Sequence, residues 1–427
     1  MDSPQRSTSG LSDLQSPAET YTPDTDASVG YEENLRTFLE NLQFEEQYIL
    51  VTGGLGFIGS HTTLELLKAN YNVIVVDNMS NSYQEVFDRV HLLASRYHES
   101  RGSRMPSLQI HNHDFQDCVM LRALLKQFEL STRWEPPRSK ISGVIHFAAH
   151  KSVEESIRQP LKYYSNNVTG LVNFVSILEE FGIKNFIFSS SATVYGTAAN
   201  SGAPLREEYC VHSKETFHEE NGDERAVESG CVGITNPYGR TKWMCEAILA
   251  DLAASDPSWT VVALRYFNPI GCDPSGLLGE DPRGTPTNLL PVVVNVITGQ
   301  IPELKVFGDD WDTIDGTAVR DFIHVTDLAR GHIAALSTAL KGELQTNFRT
   351  FNLGTGYGHS VMEVVNVMES VSSRNIPRKA VSRRQGDVGS CVAVAKRSDQ
   401  ELHWRTEKSL QDACADTWNF LKLNRTV

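Results

Sequence analysis

From Tyr48 onward the chain alternates short apolar runs rich in β-branched residues with longer stretches whose apolar positions recur at helical spacing. The runs Tyr48–Thr52, Val73–Asp77, Leu108–His111, Gly143–Phe147, Asn185–Ser189 and Val261–Arg265 predict six strands. Between them lie helical patterns starting near Ile58, Tyr83, Cys118, Leu161 and Tyr238. Strands joined by helices predict an α/β fold built on one doubly wound parallel sheet. Beyond Gly271, Pro and Gly clusters shorten the elements, as expected for a smaller C-terminal lobe closing over a ligand at the carboxyl ends of the strands.

The N-terminal part reads differently. Residues 1–30 are Ser-, Thr-, Asp- and Pro-rich and hold too few apolar side chains to offset the entropy of ordering, so they predict a disordered tail. Leu35, Phe38, Leu39 and Leu42 at helical spacing predict a short lead-in helix within 31–47. The expected division is then a nucleotide-binding domain over 48–270 and a substrate lobe over 271–427 with some return to the large domain.

Composition narrows the function. A net charge of −14 over 427 residues repels phosphate backbones and anionic lipid, which argues against nucleic-acid and membrane-surface roles. The seven cysteines are scattered and show no CxxC spacing, so neither a disulfide framework nor a structural metal site is expected, and the cytoplasm is the expected location. No apolar run is long enough to span a bilayer. His111, His113 and Asp114 are too few and too local for a defined metal site.

Gly53-Gly-Leu-Gly-Phe-Ile-Gly59 follows the first predicted strand and opens a helix, the setting in which glycines let the backbone approach a pyrophosphate at a helix amino end. Asp77 ends the second strand, where a carboxylate accepts hydrogen bonds from an adenosine ribose; an acid there, followed by Asn78 instead of an arginine, selects NAD over NADP. The sheet is therefore expected to be of Rossmann type.

Tyr238 and Lys242 stand four apart at the start of a helix and share a face. A neighbouring ammonium, with the positive charge of oxidised nicotinamide, favours the phenolate and makes Tyr238 a candidate base. Ser191, in the hydroxyl-rich run Ser189–Gly196, ends the fifth strand at the ligand-binding edge and can align and relay a sugar hydroxyl proton.

Together, Val51–His61, Val144–Ala149, Ser189–Gly196, Asn236–Lys242, Leu264–Pro269 and Asp315–His324 closely resemble the UDP-galactose (UDP-glucose) 4-epimerase family, which belongs to the extended short-chain dehydrogenases. The resemblance runs from about Tyr48 to about Phe420. It implies an isomerase of UDP-hexoses that uses NAD, works through a 4-keto sugar, and forms a homodimer through helices near Asn166 and Tyr238. Ser191, Tyr238 and Lys242 take the catalytic positions. The cofactor positions fall on Gly53, Gly56, Phe57, Ile58, Gly59, Asp77, Asn78, Asp114, Phe115, Ala148, Ala149, Lys151, Asn166 and Phe267, with the catalytic three. The UDP-sugar positions fall on Lys151, Ser191, Tyr238, Asn268, Asn288, Leu289, Val306, Phe307, Arg320, Arg384, Asp387 and Cys391.

Departures from that pattern matter as well. His150, Glu154 and Ala318 stand where the family has an apolar residue, Gly and Gly. Between Gly196 and Asn236 lie 39 residues, about twice the family's length, and the stretch over about 200–235 is acidic at Glu215, Glu219, Glu220, Asp223 and Glu224. A solvated surface loop is the expected reading, ahead of a substrate lid or partner site. Cys391, small where some members carry tyrosine, implies that UDP-N-acetylglucosamine is accepted too. Two alternatives stay open: a nucleotide-sugar 4,6-dehydratase, disfavoured because Ala192-Thr193 stands where an Asp-Glu pair is needed, and a non-catalytic NAD-binding sensor or scaffold.

Overall fold

The computed structural model describes residues 46–131, 135–218, 222–284, 286–384 and 386–424. The predicted tail, most of the lead-in helix, and Glu219 and Glu220 lie outside the described residues.

Seven strands form one parallel sheet: β1 (Tyr48–Thr52), β2 (Asn72–Val76), β3 (Leu108–His111), β4 (Ile141–His146), β5 (Asn185–Ser191), β6 (Thr260–Tyr266) and β7 (Phe348–Leu353). Their order across the sheet is β7-β6-β5-β4-β1-β2-β3, so the winding reverses between β1 and β4 and opens a crevice at their carboxyl ends. The continuous apolar runs have a direct cause: both faces are covered. Leu50, Ile74, Val144 and Phe186 pack with Leu121, Phe174, Leu178 and Leu249 on one face, while Ile49, Val51, Val73 and Ile145 pack with Leu64, Leu67 and Leu336 on the other. Each such side chain contributes about 1.5–3 kcal/mol by leaving water.

Crossover helices include α1 (Phe57–Lys68), α2 (Gln84–Glu99), α3 (Cys118–Lys126), α4 (Gly170–Glu180) and α5 (Pro237–Ser255), close to their predicted starts. The fourth pattern is more broken than expected, passing through Pro160–Tyr163 and a π-helical turn at Tyr164–Thr169 before α4 begins.

β7 was not among the expected strands. Arg349 and Asn352 interrupt its apolar pattern, yet it completes the sheet edge beside β6 and is preceded by helix α6 (Val325–Lys341), so the C-terminal half returns deep into the large domain. The rest of that half has its own apolar core of Leu290, Val293, Val306, Val364 and Met368, under the parallel pair Leu304–Phe307 and Arg378–Val381. Among the described residues no helix is long and apolar enough to cross a membrane.

Candidate active site

The turn after β1 is built for close approach. Gly53 has φ +69°, and a Cβ there would stand 2.9 Å from the Ala148 amide nitrogen; a Cβ on Gly59 would collide with the Gly53 carbonyl. These glycines leave a bare backbone cradle at the amino end of α1, whose N-cap is Gly56. Asp77 is oriented beside it by three donors, Leu55 N–H at 2.9 Å, Met79 N–H at 2.8 Å and Ser82 Oγ–H at 3.0 Å. Asn78 Nδ2 donates to Asp114 at 2.8 Å, and Gln116 ties Asp114 to Asn166. A backbone cradle for phosphate beside an oriented carboxylate for a ribose fits a dinucleotide.

The cleft above these groups is lined by Gly53, Gly56, Phe57, Ile58, Gly59, Asp77, Asn78, Phe115, Ala148, Ala149, Lys151, Asn166, Tyr238 and Lys242, so most of the expected cofactor residues share one cavity. Asp114, Ser191 and Phe267 are not among its walls. Sequence reasoning missed Ser80, Asn81, Ser82, His113, Phe147, His150, Ser189 and Tyr266, which also line it. Ser80–Ser82 were discoverable, since a polar loop after Asp77 must lie at the ligand edge of the sheet.

At the far end stand the predicted catalytic groups. Asn236 caps α5 by accepting from Gly239 N–H at 2.8 Å, and Pro237 at the first helical position fixes where Tyr238 emerges. Gly239 lets the helix lie against the Thr193 backbone; a Cβ there would come within 2.9 Å of its carbonyl oxygen. Ser191 stands near enough to Tyr238 to oppose the upward shift of its phenol, and Ser191 Oγ accepts from Thr193 Oγ1 at 3.0 Å. Lys242 is buried beneath them, with Nζ donating to the Ser189 carbonyl. Burial pushes the Tyr238 phenol up to about 12, with Ser191 opposing, and brings Lys242 down to about 8 against Cys245 and Glu246. Desolvation is the largest influence on both groups.

Tyr266 also lines the cleft. His332 Nδ1–H donates to the Leu328 carbonyl at 2.8 Å, and burial holds that imidazole down at about 4, so its Nε2 accepts from Tyr266 Oη–H at 2.5 Å.

Of the expected UDP-sugar residues, Asn288, Leu289, Val306, Phe307, Arg320, Arg384, Asp387 and Cys391 belong to the C-terminal half. Arg384 lies over the Phe307 ring at 4.5 Å and its Nε donates to Asp387 at 3.0 Å; Val306 is the buried neighbour in the same strand. Arg320 stands in register with Cys391, whose thiol burial pushes up to about 11. Cys391 and Phe267 pack against the apolar cluster containing Ala192, the residue after Ser191, which joins this group to the catalytic end. Asn268 pairs with the strand carrying Phe322, and Asn288, at the N-cap position of the helix beginning at Leu289, donates to Glu280 at 2.7 Å, the same carboxylate that Lys151 approaches at 3.5 Å.

The acidic insertion is largely exposed, as expected of a surface segment, but it is not an irregular loop. Glu215–His218 and Glu224–Val227 form an antiparallel hairpin, and Glu215 pairs with Arg349 of β7 and with Arg397. Its base enters a buried ionic centre that the sequence did not suggest: Glu246 on α5 accepts from Ser190 Oγ–H, from Arg265 at 2.7 and 3.1 Å, and from His212 at 2.7 Å. Burial alone would raise the Glu246 pKa, but Arg265 and His212 outweigh it and hold the carboxyl well below the usual range. Cys210, His212 and Glu246 lie close enough to hold a metal ion, yet Glu246 is already saturated by a guanidinium and two further donors, the arrangement of an ion pair rather than of a ligand set.

Comparison with known proteins follows the same outline. Residues 49–354 match the family described as NAD dependent epimerase/dehydratase. A UDP-glucose 4-epimerase of Mus musculus is 43% identical over 382 residues, covering 88% of this chain and 97% of that protein. One of Bacillus subtilis is 41% identical over 376 residues, covering 88% and 97%. The structure of UDP-glucose 4-epimerase from Bifidobacterium longum in complex with NAD+ and UDP superposes with a TM-score of 0.73 at 38% identity, covering 88% of this chain and 99% of that one.

Proposed function

The chain belongs to the NAD dependent epimerase/dehydratase family, and from that premise we infer its reaction: it is an isomerase that inverts C4 of a UDP-hexose reversibly, with NAD as its cofactor. The observation that carries the residue assignment is that Tyr238 and buried Lys242 line the same cleft as the Gly53–Gly59 cradle, with Ser191 close beside the phenol.

We assign the cradle, Asp77, Asn78, Asn166, Lys151 and Lys242 to holding the dinucleotide. NAD, when bound, supplies a hydride acceptor and a fixed positive charge. Tyr238 accepts the proton of the sugar 4-hydroxyl and returns it after the 4-keto sugar has turned over, while Ser191 holds that hydroxyl in line and passes the proton. With its phenol at about 12, Tyr238 keeps its proton until positive charge is near, which couples deprotonation to the oxidised cofactor. Arg320, Arg384 and Asp387 hold the diphosphate and uridine so that the sugar can rotate without leaving, binding energy applied far from the reacting carbon. The absence of an acid pair beside Ser191, where Ala192 and Thr193 stand, favours epimerisation over dehydration.

Supplying the folded, NAD-loaded protein with UDP-galactose and separating the products tests the reading. UDP-glucose is expected; no conversion by folded, loaded protein overturns it and favours a sensor or scaffold. Cys391 favours a wider substrate range, because a small half-buried residue beside Arg320 leaves room at the sugar. UDP-N-acetylglucosamine is expected to be turned over, and Cys391→Tyr to suppress it by about 10–200-fold relative to UDP-glucose; turnover of UDP-glucose alone by the natural protein rejects this. A cytoplasmic homodimer completes the proposal. Exposed Leu161 and Val172, on the helical stretch around Asn166, support the dimer face, and sedimentation at monomeric mass would reject it.

A further inference from the structure

The acidic insertion leaves and rejoins the body through a narrow neck with a cysteine on each side. Gly230 N–H donates to the Val211 carbonyl at 2.9 Å, an antiparallel bridge. The bridge is isolated, but because its hydrogen bond lies within that pair, extending it one residue toward the body brings Cys210 opposite Cys231 in the non-hydrogen-bonded position, and Cys231 is near enough to act on the Cys210 thiol. Such positions place Cα atoms about 4.5 Å apart with side chains on one face, inside the roughly 4.4–6.8 Å that a disulfide requires. Both are free thiols and share one apolar cluster, Cys210 buried and Cys231 half-buried. The segment 211–230 between them carries the hairpin and the exposed Lys214 and Arg225.

We propose that Cys210 and Cys231 form a reversible thiol–disulfide pair that staples the neck of the insertion. Peroxide is the oxidant the geometry suits, because Cys231 is the accessible sulfur. Its thiolate attacks hydrogen peroxide, the O–O bond breaks, and a sulfenic acid forms as hydroxide leaves and is protonated to water. Cys210 sulfur then attacks the Cys231 sulfur; the S–S bond forms, the S–O bond breaks, and the oxygen leaves as water with the Cys210 proton. A dithiol restores both thiols by exchange: its sulfur attacks the S–S bond, and as the second protein thiol leaves the reductant closes into its own disulfide. Burial raises both thiols, Cys210 to about 12, so oxidation is slow at neutral pH and accelerates as pH rises.

The staple has a structural target. The Cys210 carbonyl accepts from Arg265 at 2.7 Å, and His212 holds Glu246 one turn beyond Lys242. Closing the neck constrains the unfolded chain and fixes this strip against α5.

Full-length, NAD-loaded protein treated with hydrogen peroxide, then denatured, alkylated and digested, is expected to yield a cross-linked peptide pair joining Cys210 to Cys231, two hydrogens lighter than the separate peptides and released by dithiothreitol. Limited trypsin cleavage at Lys214 or Arg225 gives a second reading: the oxidised, nicked chain is expected to run as one band until reduced. Cys231→Ser, on the half-exposed side where folding is tolerant, is expected to lose both signals. Alkylation of both cysteines after peroxide treatment, linkage of Cys231 to another cysteine, or its passage to sulfinic acid without pairing each overturns the proposal.

Discussion

Helix α5 carries two buried polar centres a single turn apart, and they are built on opposite terms. Around Tyr238 and Lys242 the charges are under-partnered: the phenol shares Ser191, the ammonium has the Ser189 carbonyl, and burial moves both pKa values toward the neutral forms. Around Glu246 the partners are in surplus, with Ser190, Arg265 and His212 all donating to one carboxylate. The first centre is held ready to change its protonation; the second is held from changing. Reactivity here follows from how incompletely a buried group is paired, since burial is common to both.

Removing the reactive hydroxyl should break the first centre most sharply. Tyr238→Phe is expected to lower kcat by about 10²–10⁴-fold, with the melting curve unchanged; retained turnover would dismiss Tyr238 as the proton acceptor. The second centre should fail in stability instead. Glu246→Gln strands Arg265 without its counter-charge and is expected to cost about 3–5 kcal/mol, read from the urea midpoint, and a midpoint equal to that of the natural protein would show that the centre is hydrated.

The contrast sharpens with Lys242→Met, which removes a charge that burial opposes. Stability at neutral pH is expected to rise by on the order of 1–3 kcal/mol while epimerisation is lost. The pH dependence separates the two centres by sign. Lys242 titrates near 8 when folded against 10.5 ordinarily, so the unfolded chain binds more protons between those values and this group adds stability as pH climbs through the window. Glu246, depressed from 4.5, contributes stability that is present above that value and lost as pH falls below it. Urea midpoints against pH should therefore lose an alkaline rise in Lys242→Met relative to the natural protein and an acid-side loss in Glu246→Gln. The smallest effect belongs to His212→Ala, which removes one of several donors and is expected to cost about 1–3 kcal/mol. A cost as large as that of Glu246→Gln would make His212, not Arg265, the essential partner.

The same contrast marks what was legible in the chain. The glycine turn proposed to cradle the cofactor could be read because its requirement is local: glycines where no Cβ fits, then a helix start, then Asp77 just past β2. Tyr238 and Lys242 were legible from helical spacing and their place after the sheet. Nothing local announces the Glu246 centre, whose members at 190, 212, 246 and 265 meet only through the sheet and the insertion. β7 was hidden for a related reason. Its Asn352 is a buried anchor that donates to the Leu205 and Val394 carbonyls, so a polar residue does interior duty and spoils the apolar pattern. The Tyr266–His332 contact was likewise invisible, since each residue is ordinary where it stands in its own element.

β7 also sets a timetable for synthesis. Val261 of β6 pairs with Phe348, so when β6 leaves the ribosome its outer edge has no partner until residues 267–347 have followed it. Throughout that interval β6 presents unpaired backbone to any strand nearby, so mispairing is most open to the nascent domain before β7 arrives.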